Sequence, residues 1–325
     1  MITATPRLWP EKESRTVPVM QILVFPGLLF LALYALVLQF VDRKVYARLQ
    51  NRKGPPWYQP LADFIKLLGK ETIVPDEANR FVFTVLPVFT LAAVTTAFLY
   101  VPVWSVNSQM PFHGDVVVIL YLLAIVPLTL FLAGWNSSSM YAAIGSQRVL
   151  TQLFAYEVPL FMSILGPALL SDSWSLSEVA AFYAARPLLA LLNLPGFFVA
   201  LLAAQGKLER VPFDTPEAET EIVAGAFTEY GGRLFAIFRL AVDMELVVLV
   251  AIIGAVFLPF FAANPVLGFA VFLAKTLVLL FIMAIIKGVT ARLRIDQMVR
   301  FCWTVLAPLS LVQLMIDLIA KGLIQ

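Results

Sequence analysis

The sequence predicts an all-α integral membrane protein with about eight transmembrane helices and one cytoplasmic interfacial helix. Hydrophobic residues make up 61% of the 325 residues, only 14% are charged, and the mean hydropathy is +0.88. This composition excludes an ordinary soluble domain. A spanning helix needs about 20 consecutive apolar residues. Residues 1–325 are predicted to form a single membrane domain. The candidate spans are 18–41, 82–103, 116–134, 150–170, 187–206, 234–261, 266–287 and 299–320. Pro195 interrupts the fifth of them.

The distribution of positive charge predicts the orientation. Sixteen of the 23 Lys and Arg residues lie in the connections 42–81, 135–149, 207–233 and 287–300. Because cytoplasmic connections carry the excess of Lys and Arg, we expect these four on the cytoplasmic side of a cell membrane. An even number of spans then places both termini outside.

Cysteine and histidine are too scarce for a redox centre. The chain has one cysteine, Cys302, and one histidine, His113. A single cysteine excludes an internal disulfide and an iron–sulfur cluster bound by cysteines of this chain alone. A single histidine likewise removes the usual imidazole metal sites and paired haem ligands.

The cytoplasmic loop 42–81 is predicted to contain an amphipathic helix after a turn at Gly54-Pro55-Pro56. Within 59–71, apolar residues recur at helical spacing on one face and charged residues occupy the other: Leu61, Phe64, Ile65 and Leu68 against Asp63, Lys66 and Lys70. Such a helix lies in the membrane interface.

The loop 207–233 is the most acidic part of the chain. Between apolar flanks it holds six of the 21 acidic residues: Glu209, Asp214, Glu217, Glu219, Glu221 and Glu229. Carboxylates close to hydrocarbon are unfavourable unless they are paired, hydrated or functional, so the loop indicates ion movement or partner docking. Thr215 is placed to cap a helix with Pro216 in its first turn. The helix dipole accounts equally well for Glu217 and Glu219.

Four acidic residues are predicted inside spans, and Lys275 is predicted inside one as well. Glu157 follows the start of the fourth span, and we interpret it as part of a proton path rather than a structural acid. Asp243 can pair with Arg239 one turn earlier, which leaves Glu245 the freer candidate. Lys275 fits either an ion path or a side chain extended towards the interface. Asp317, near the outer end of the last span, is interpreted as solvated.

Several motifs resemble one family. The principal one is Arg210-Val-Pro-Phe-Asp-Thr-Pro-Glu-Ala-Glu-Thr-Glu-Ile-Val-Ala-Gly225, and the others are Gln59-Pro60-Leu61-Ala62-Asp63, Tyr156-Glu157-Val158 and Arg292-Leu-Arg294-Ile-Asp296-Gln297-Met298. Together they resemble subunit 1 of respiratory complex I, a family that includes the matching subunit of membrane-bound nickel–iron hydrogenases. The resemblance runs from about residue 40 to the end and covers every predicted cytoplasmic connection.

The resemblance implies a subunit that anchors a soluble electron-transfer arm to an ion-translocating arm. It implies no cofactor on this chain, with a nickel–iron site and iron–sulfur clusters on partner subunits. The implied partners are the large and small electron-transfer subunits, antiporter-like membrane subunits, the lipid membrane and, through the complex, ferredoxin, with no role for nucleic acid. The chain would not be catalytic alone but would belong to an ion-translocating oxidoreductase.

The resemblance also assigns candidate residues. The expected ion path contains Glu157, Glu221, Glu229, Asp243, Glu245 and Lys275. The expected docking and cavity loops contain Arg43, Arg52, Asp63, Lys70, Glu71, Arg148, Arg210, Asp214, Glu217, Glu219, Arg292, Arg294 and Asp296.

One departure from the family separates two functions. Only three residues, Pro56-Trp57-Tyr58, separate Gly54-Pro55 from Gln59. This connecting segment is shorter than the one in quinone-using members of the family. The short form resembles the hydrogenases and ferredoxin-dependent sulfur reductases, so we expect a hydrogenase-like complex. A quinone-binding subunit of an NADH or ferredoxin dehydrogenase is the alternative. A stand-alone transporter is disfavoured because the acidic loop has no second copy, whereas transporters often contain internal repeats.

Overall fold

The computed structural model describes residues 19–217, 219–262 and 264–324, and all regular elements in these ranges are helical. The polar residues 1–17 lie outside them. In chain order the α-helices are α1 (Val19–Leu23), α2 (Leu28–Leu49), α3 (Gln59–Gly69), α4 (Arg80–Leu99), α5 (Asp115–Asn136), α6 (Met140–Ser171), α7 (Leu176–Ala185), α8 (Leu194–Lys207), α9 (Glu219–Ile222), α10 (Gly232–Phe257), α11 (Pro265–Val289), α12 (Ile295–Phe301) and α13 (Ala307–Ile324). Short 3₁₀ turns cover Pro187–Asn193 and Gly225–Phe227, and a π-helical turn covers Cys302–Leu306.

Eight stretches in the described ranges are long and apolar enough to cross a membrane, which confirms the predicted fold class. They are Val19–Leu49, Arg80–Leu99, Asp115–Asn136, Met140–Ser171, Pro187–Lys207, Gly232–Phe257, Pro265–Val289 and Ile295–Leu323. The predicted connection 135–149 is largely helical, because α6 begins at Met140. Pro195 does not interrupt the fifth span; it lies in the first turn of α8, where its missing N–H is not needed.

Helix α10 forms the centre of the bundle. It packs against α2, α3, α4 and α11, and nearly all of its residues from Leu240 to Phe257 are buried. A helix that is apolar on every side belongs in such a position. The two acids that α10 carries, Asp243 and Glu245, are consequently buried as well.

The amphipathic helix is present as α3, with Pro60 in its first turn. Its apolar residues Leu61, Ile65 and Leu68 are exposed, whereas Phe64 packs against the core. The helix therefore presents an apolar stripe outward while its inner side contacts α2 and α10. This arrangement suits a helix lying in the membrane interface.

The acidic loop folds back on itself and packs on α6. Gly225 has a positive φ of 54°, and a Cβ there would lie 2.0 Å from the carbonyl oxygen of Pro216. A Cβ on Gly145 of α6 would lie 2.6 Å from the backbone of Gly225. Close backbone approach thus requires glycine on both sides.

The predicted cap at Thr215 is wrong. The Thr215 hydroxyl donates to Gln152 Oε1 at 2.6 Å, and the short helix α9 begins only at Glu219. A buried hydroxyl gains more from this tertiary hydrogen bond than from capping a single helical turn.

Candidate functional site: a charged cavity between the acidic loop and the bundle

A cavity of about 200 Å³ opens beneath the acidic loop, between that loop and helices α2, α8, α10 and α11. Its wall is unusually rich in charge for a membrane bundle. The polar lining residues are Gln39, Asp42, Arg43, Lys207, Glu209, Arg210, Asp214, Glu217, Arg239, Asp243, Glu245 and Lys287. Interior charges of this kind normally mark an ion or substrate path.

A triad of two acids and one lysine lies where Lys207 and Glu245 form part of the cavity wall. Lys207 Nζ lies 3.6 Å from Glu245 Oε1 and 3.7 Å from Glu157 Oε2. The side chains of Lys207 and Glu245 are 1% and 2% exposed. Because α6, α8 and α10 each contribute one member, the triad forms only in the packed bundle. Glu157 and Glu245 were both predicted for the ion path, and the structure brings them to one ammonium group.

A second ionic cluster lies where α2 meets the acidic loop and α11. Asp42 accepts from Arg210 Nη1 at 3.1 Å and lies 3.6 Å from Lys287 Nζ. One turn away on α2, Gln39 donates to Asp243 Oδ2 at 2.6 Å. This cluster joins Asp243, a predicted ion-path residue, to Arg210 of the loop.

The predicted pairing of Arg239 with Asp243 is present as a charge interaction, but the two side chains make no direct ion-pair contact. Arg239 instead contacts the acidic loop, with 3.5 Å between its Nη1 and Glu217 Oε1. Glu209 also lies on the cavity wall, with a positive φ of 51°. Burial raises the pKa of Glu209 well above its ordinary value, and the carboxylates of Glu217, Glu245 and Asp214 raise it further while Arg239 opposes them.

A charged groove of about 210 Å³ lies on the same side of the protein as the loop, lined by Arg148, Thr215, Glu221, Arg292, Leu293, Arg294, Ile295 and Asp296. Arg148 Nη1 donates to Glu221 Oε2 at 2.6 Å, and this hydrogen bond together with the arginine charge lowers the pKa of Glu221. Arg292 pairs with Asp214 at 3.6 Å and also donates to its backbone carbonyl. Several predicted docking residues therefore share one exposed surface.

Other predicted ion-path residues do not enter the cavity. Glu221 is in the exposed groove, and Glu229 is not among the cavity residues. Lys275 Nζ donates to the carbonyl oxygens of Gly254 and Leu258 at 3.1 Å each, at the end of α10. It stands twelve residues before Lys287 on α11, about 18 Å away at 1.5 Å per residue. Lys275 thus caps the last carbonyl oxygens of α10, as basic side chains often do at the C-terminal end of a helix.

The remaining predicted docking residues are scattered over the connections between the spans. Arg43 pairs with Asp63 at 3.1 Å and so joins α2 to α3. Arg52, Lys70 and Glu71 are exposed. The side chain of Glu219 lies outside the described residues.

The interpretation of Asp317 as solvated is wrong. Its side chain is fully buried and accepts from Gln313 Nε2 at 2.9 Å, while Gln313 also donates to Asn193 Oδ1 at 2.8 Å. The neighbouring α6 carries Gly166, where a Cβ would lie 2.4 Å from Asp317 Oδ2. Because glycine leaves this space open, a carboxylate fits between the helices.

A second, more apolar space adjoins the charged cavity. It measures about 210 Å³, lies among α2, α3 and α10, and shares Gln39, Arg43, Arg239 and Asp243 with the cavity wall. Its other walls include Leu36, Phe64 and Phe235. A space thus remains behind α3, although the turn before this helix is short.

Several residues of the cavity were missed from the sequence. Three of them lie at the predicted ends of spans, where a charge is expected and signals no cavity: Asp42, Lys207 and Lys287. Gln39 lies inside the first predicted span, and nothing in the sequence marks it as a cavity residue. A weak signal was present for Lys207, which lies one helical turn before Arg210 of the family motif. Among the described residues, no group of three or more His, Cys, Asp or Glu side chains could hold a metal ion.

The fold and the charged cavity define a multi-pass membrane protein with a polar interior at one end of the bundle. A family model described as NADH dehydrogenase matches residues 21–318, and the chain belongs to this family of complex I subunit 1 proteins. A membrane component of the NADH-quinone oxidoreductase of Dehalococcoides mccartyi strain CBDB1 is 37% identical, over 88% of this chain and 82% of the relative. The corresponding component in Syntrophotalea carbinolica is 34% identical, over 90% and 92%.

A solved structure supports the same assignment. The archaeal membrane-bound sulfane sulfur reductase, a respiratory membrane complex, contains a chain that superposes with a TM-score of 0.80. The two chains are 25% identical, and the match covers 89% of this chain and 96% of the other. The relatives and this neighbour are subunits of multi-subunit respiratory complexes.

Proposed function

We propose that this chain is the membrane anchor of an ion-translocating redox complex and carries the first part of its proton or sodium path. The observation that supports this proposal is the set of charged residues that line one cavity between the acidic loop and the bundle interior. The set includes Glu217, Arg239, Glu209, Asp243 and, from the triad, Lys207. A purely structural anchor would gain nothing from burying so many ionisable groups.

The groove at Arg148 and Arg292 is the proposed docking surface for the soluble arm. Its side chains are charged and partly exposed, as expected of the polar rim of an interface. Asp214 lines the charged cavity and also pairs with Arg292 of the groove. Binding of the soluble arm would therefore act directly on the mouth of the ion path.

We propose a sulfur reductase or hydrogenase-like complex in which ferredoxin supplies electrons. The large and small electron-transfer subunits would bind the nickel–iron site and the iron–sulfur clusters, this chain would carry no cofactor, and antiporter-like subunits would complete ion transport. The short Pro56-Trp57-Tyr58 segment and the likeness to the sulfane sulfur reductase support this choice. A quinone-reducing complex is the second candidate, favoured by the relatives' quinone oxidoreductase names and the space behind α3.

The substitution Glu157→Gln tests the proposed ion path. We expect electron transfer by the purified complex to persist while ion uptake by vesicles falls close to background, because the amide cannot exchange a proton. Asp172→Asn is a matched control, since Asp172 pairs with Lys321 at 2.5 Å away from the cavity and its side chain is 74% exposed. Unchanged pumping by the Glu157→Gln complex would refute the ion-path role, as would equal loss of electron transfer in a fully assembled complex.

A further inference from the structure

The position of Lys207 is unusual because its ammonium group has two competing acidic partners. Nζ lies 3.6 Å from Glu245 and 3.7 Å from Glu157, beyond the 2.7–2.9 Å or so of a charge-assisted hydrogen bond. Lys207 Nζ and Glu245 Oε1 are buried and make no hydrogen bond within the described chain, and the same holds for both Glu157 carboxylate oxygens. The ammonium therefore stands between two acids and is fully engaged by neither.

Contacts on Gly206 hold the backbone next to Lys207, so the movement proposed below is one of the lysine side chain. Gln152 Nε2 donates to the carbonyl oxygen of Gly206 at 2.6 Å. A Cβ on Gly206 would lie 3.3 Å from the ring of Tyr156, and the same ring lies 5.4 Å from Lys207 Nζ. The aromatic face offers the ammonium a favourable surface between its two partners.

Charge balance determines how many protons this triad holds. Two carboxylates and one ammonium carry a net charge of −1, one added proton makes the triad neutral, and a second proton makes it positive. Surroundings of low polarity favour the neutral state. Glu209 lies close enough to interact electrostatically with Glu245, so an ionised Glu209 would favour protonation of the triad further.

We infer that Lys207 is a movable counter-charge that makes Glu157 and Glu245 hold one shared proton and exclude a metal cation. When the ammonium moves towards one carboxylate, the proton resides on the other, so a shift of Nζ transfers the proton between α6 and α10. A sodium ion would need several oxygen ligands in the place that the ammonium occupies, and the ammonium would repel it. This inference rests on the proposed ion path and specifies the ion at one site of it.

Infrared difference spectroscopy of the purified complex tests this inference, with the band of protonated carboxyl groups followed through a pH series. We expect one protonated carboxyl from the triad, unaffected by replacing potassium with sodium. Glu157→Gln and Glu245→Gln should each abolish the protonated-carboxyl band, because the one remaining carboxylate and the Lys207 ammonium already balance each other's charge. Lys207→Met should about double the band and make it sensitive to sodium, since two carboxylates then lack a counter-charge. Lys207→Arg should keep the wild-type behaviour.

Three results would overturn the inference: a wild-type band that weakens on adding sodium, a Lys207→Met band of unchanged intensity, or a band that survives either glutamate substitution. Native gels establish that each variant assembles. If the Lys207→Met complex does not assemble, the two glutamate variants still decide the matter. These spectra do not depend on ion pumping. A negative spectroscopic result would therefore leave the ion-path role of Glu157 to be decided by the vesicle assay, and a negative vesicle assay would leave the shared proton to be decided by the spectra.

Discussion

Arg210 of the acidic loop lies 3.1 Å from Asp42 on the first transmembrane segment, Nη1 to Oδ1. Lys287 of α11 contacts the other oxygen of the same carboxylate at 3.6 Å. One buried carboxylate thus joins the loop to two spanning helices, and it compensates two cations at once. The mouth of the charged cavity is held in place by this contact.

Removal of the Asp42 charge should therefore loosen the loop. Asp42→Asn keeps the shape of the side chain but leaves two cations facing each other in a poorly hydrated site, at an expected cost of about 3 kcal/mol. We expect the temperature midpoint of unfolding of the purified complex to fall clearly. Asp63→Asn is the control, because the Arg43–Asp63 pair is exposed (37% and 42%) and contributes at most about 1 kcal/mol. Equal midpoints for the two variants would contradict this prediction.

Glu209 should make stability depend on pH. Its pKa is raised in the folded protein, mainly by burial, so over the interval from its ordinary pKa to the raised value the folded state binds more protons than the unfolded state. Stability then falls as pH rises through this interval. Glu209→Gln removes the titrating group, and we expect its unfolding midpoint to exceed that of the wild type increasingly above pH 4.5.

The measurement is the unfolding midpoint of both complexes across a pH series that begins near the ordinary pKa. Glu221→Gln is a useful comparison because the pKa of Glu221 is lowered by Arg148. The stabilisation that ionised Glu221 provides is present above the ordinary pKa and is lost as pH falls through the lowered value. Glu221→Gln should therefore destabilise the protein at neutral pH. The effect should be small because the Glu221 side chain is 55% exposed. Parallel curves for wild type and Glu209→Gln would exclude the effect assigned to Glu209.

Asp214 should be needed for docking of the soluble arm. Asp214→Arg places a cation beside Arg292, so that attraction becomes repulsion where the groove meets the cavity. We expect native gels to show loss of the large and small electron-transfer subunits while this chain remains in the membrane. Asp172→Arg provides the control, because Asp172 is 74% exposed and pairs with Lys321 outside the groove. Intact assembly with normal turnover in the Asp214→Arg complex would argue against the docking role.

Local patterns predicted the fold, whereas the ion pairs depend on contacts distant in sequence. Hydropathy placed all eight spans because lipid requires long apolar helices with internally satisfied backbones. The partners of Lys207 lie 50 and 38 residues away in the chain, on helices whose relative rotation is set by packing. Arg239 and Asp243 interact through their charges, but the direct contact of Arg239 could not be predicted, for the same reason. Spacing along one helix made that pair possible, but the folded loop supplied Glu217 at 3.5 Å.

The complex that contains this chain should turn over without a quinone. Only three residues separate Gly54-Pro55 from α3, and they place Trp57 and Tyr58 on the surface, 75% and 52% exposed, as aromatic residues of a membrane interface. The space behind α3 is about 210 Å³, with Phe64 and Phe235 among its walls and Arg43 paired to Asp63 at 3.1 Å at its edge. Ligand pockets for drug-sized molecules measure about 300–1,000 Å³, so this space is small for a quinone ring with its tail.

Quinone extraction provides the measurement. We expect delipidated, quinone-free complex to oxidise ferredoxin at an undiminished rate with a soluble acceptor such as protons or polysulfide. Phe235→Ala supplies a matched comparison: it widens the space behind α3 without removing a charge, so it should leave this turnover unchanged if no quinone binds there. Activity that disappeared on extraction and returned on adding quinone would favour the quinone-reducing alternative. In that case Phe235→Ala should also alter the quinone concentration needed for half-maximal rate, because Phe235 lines the apolar space that reaches Asp243.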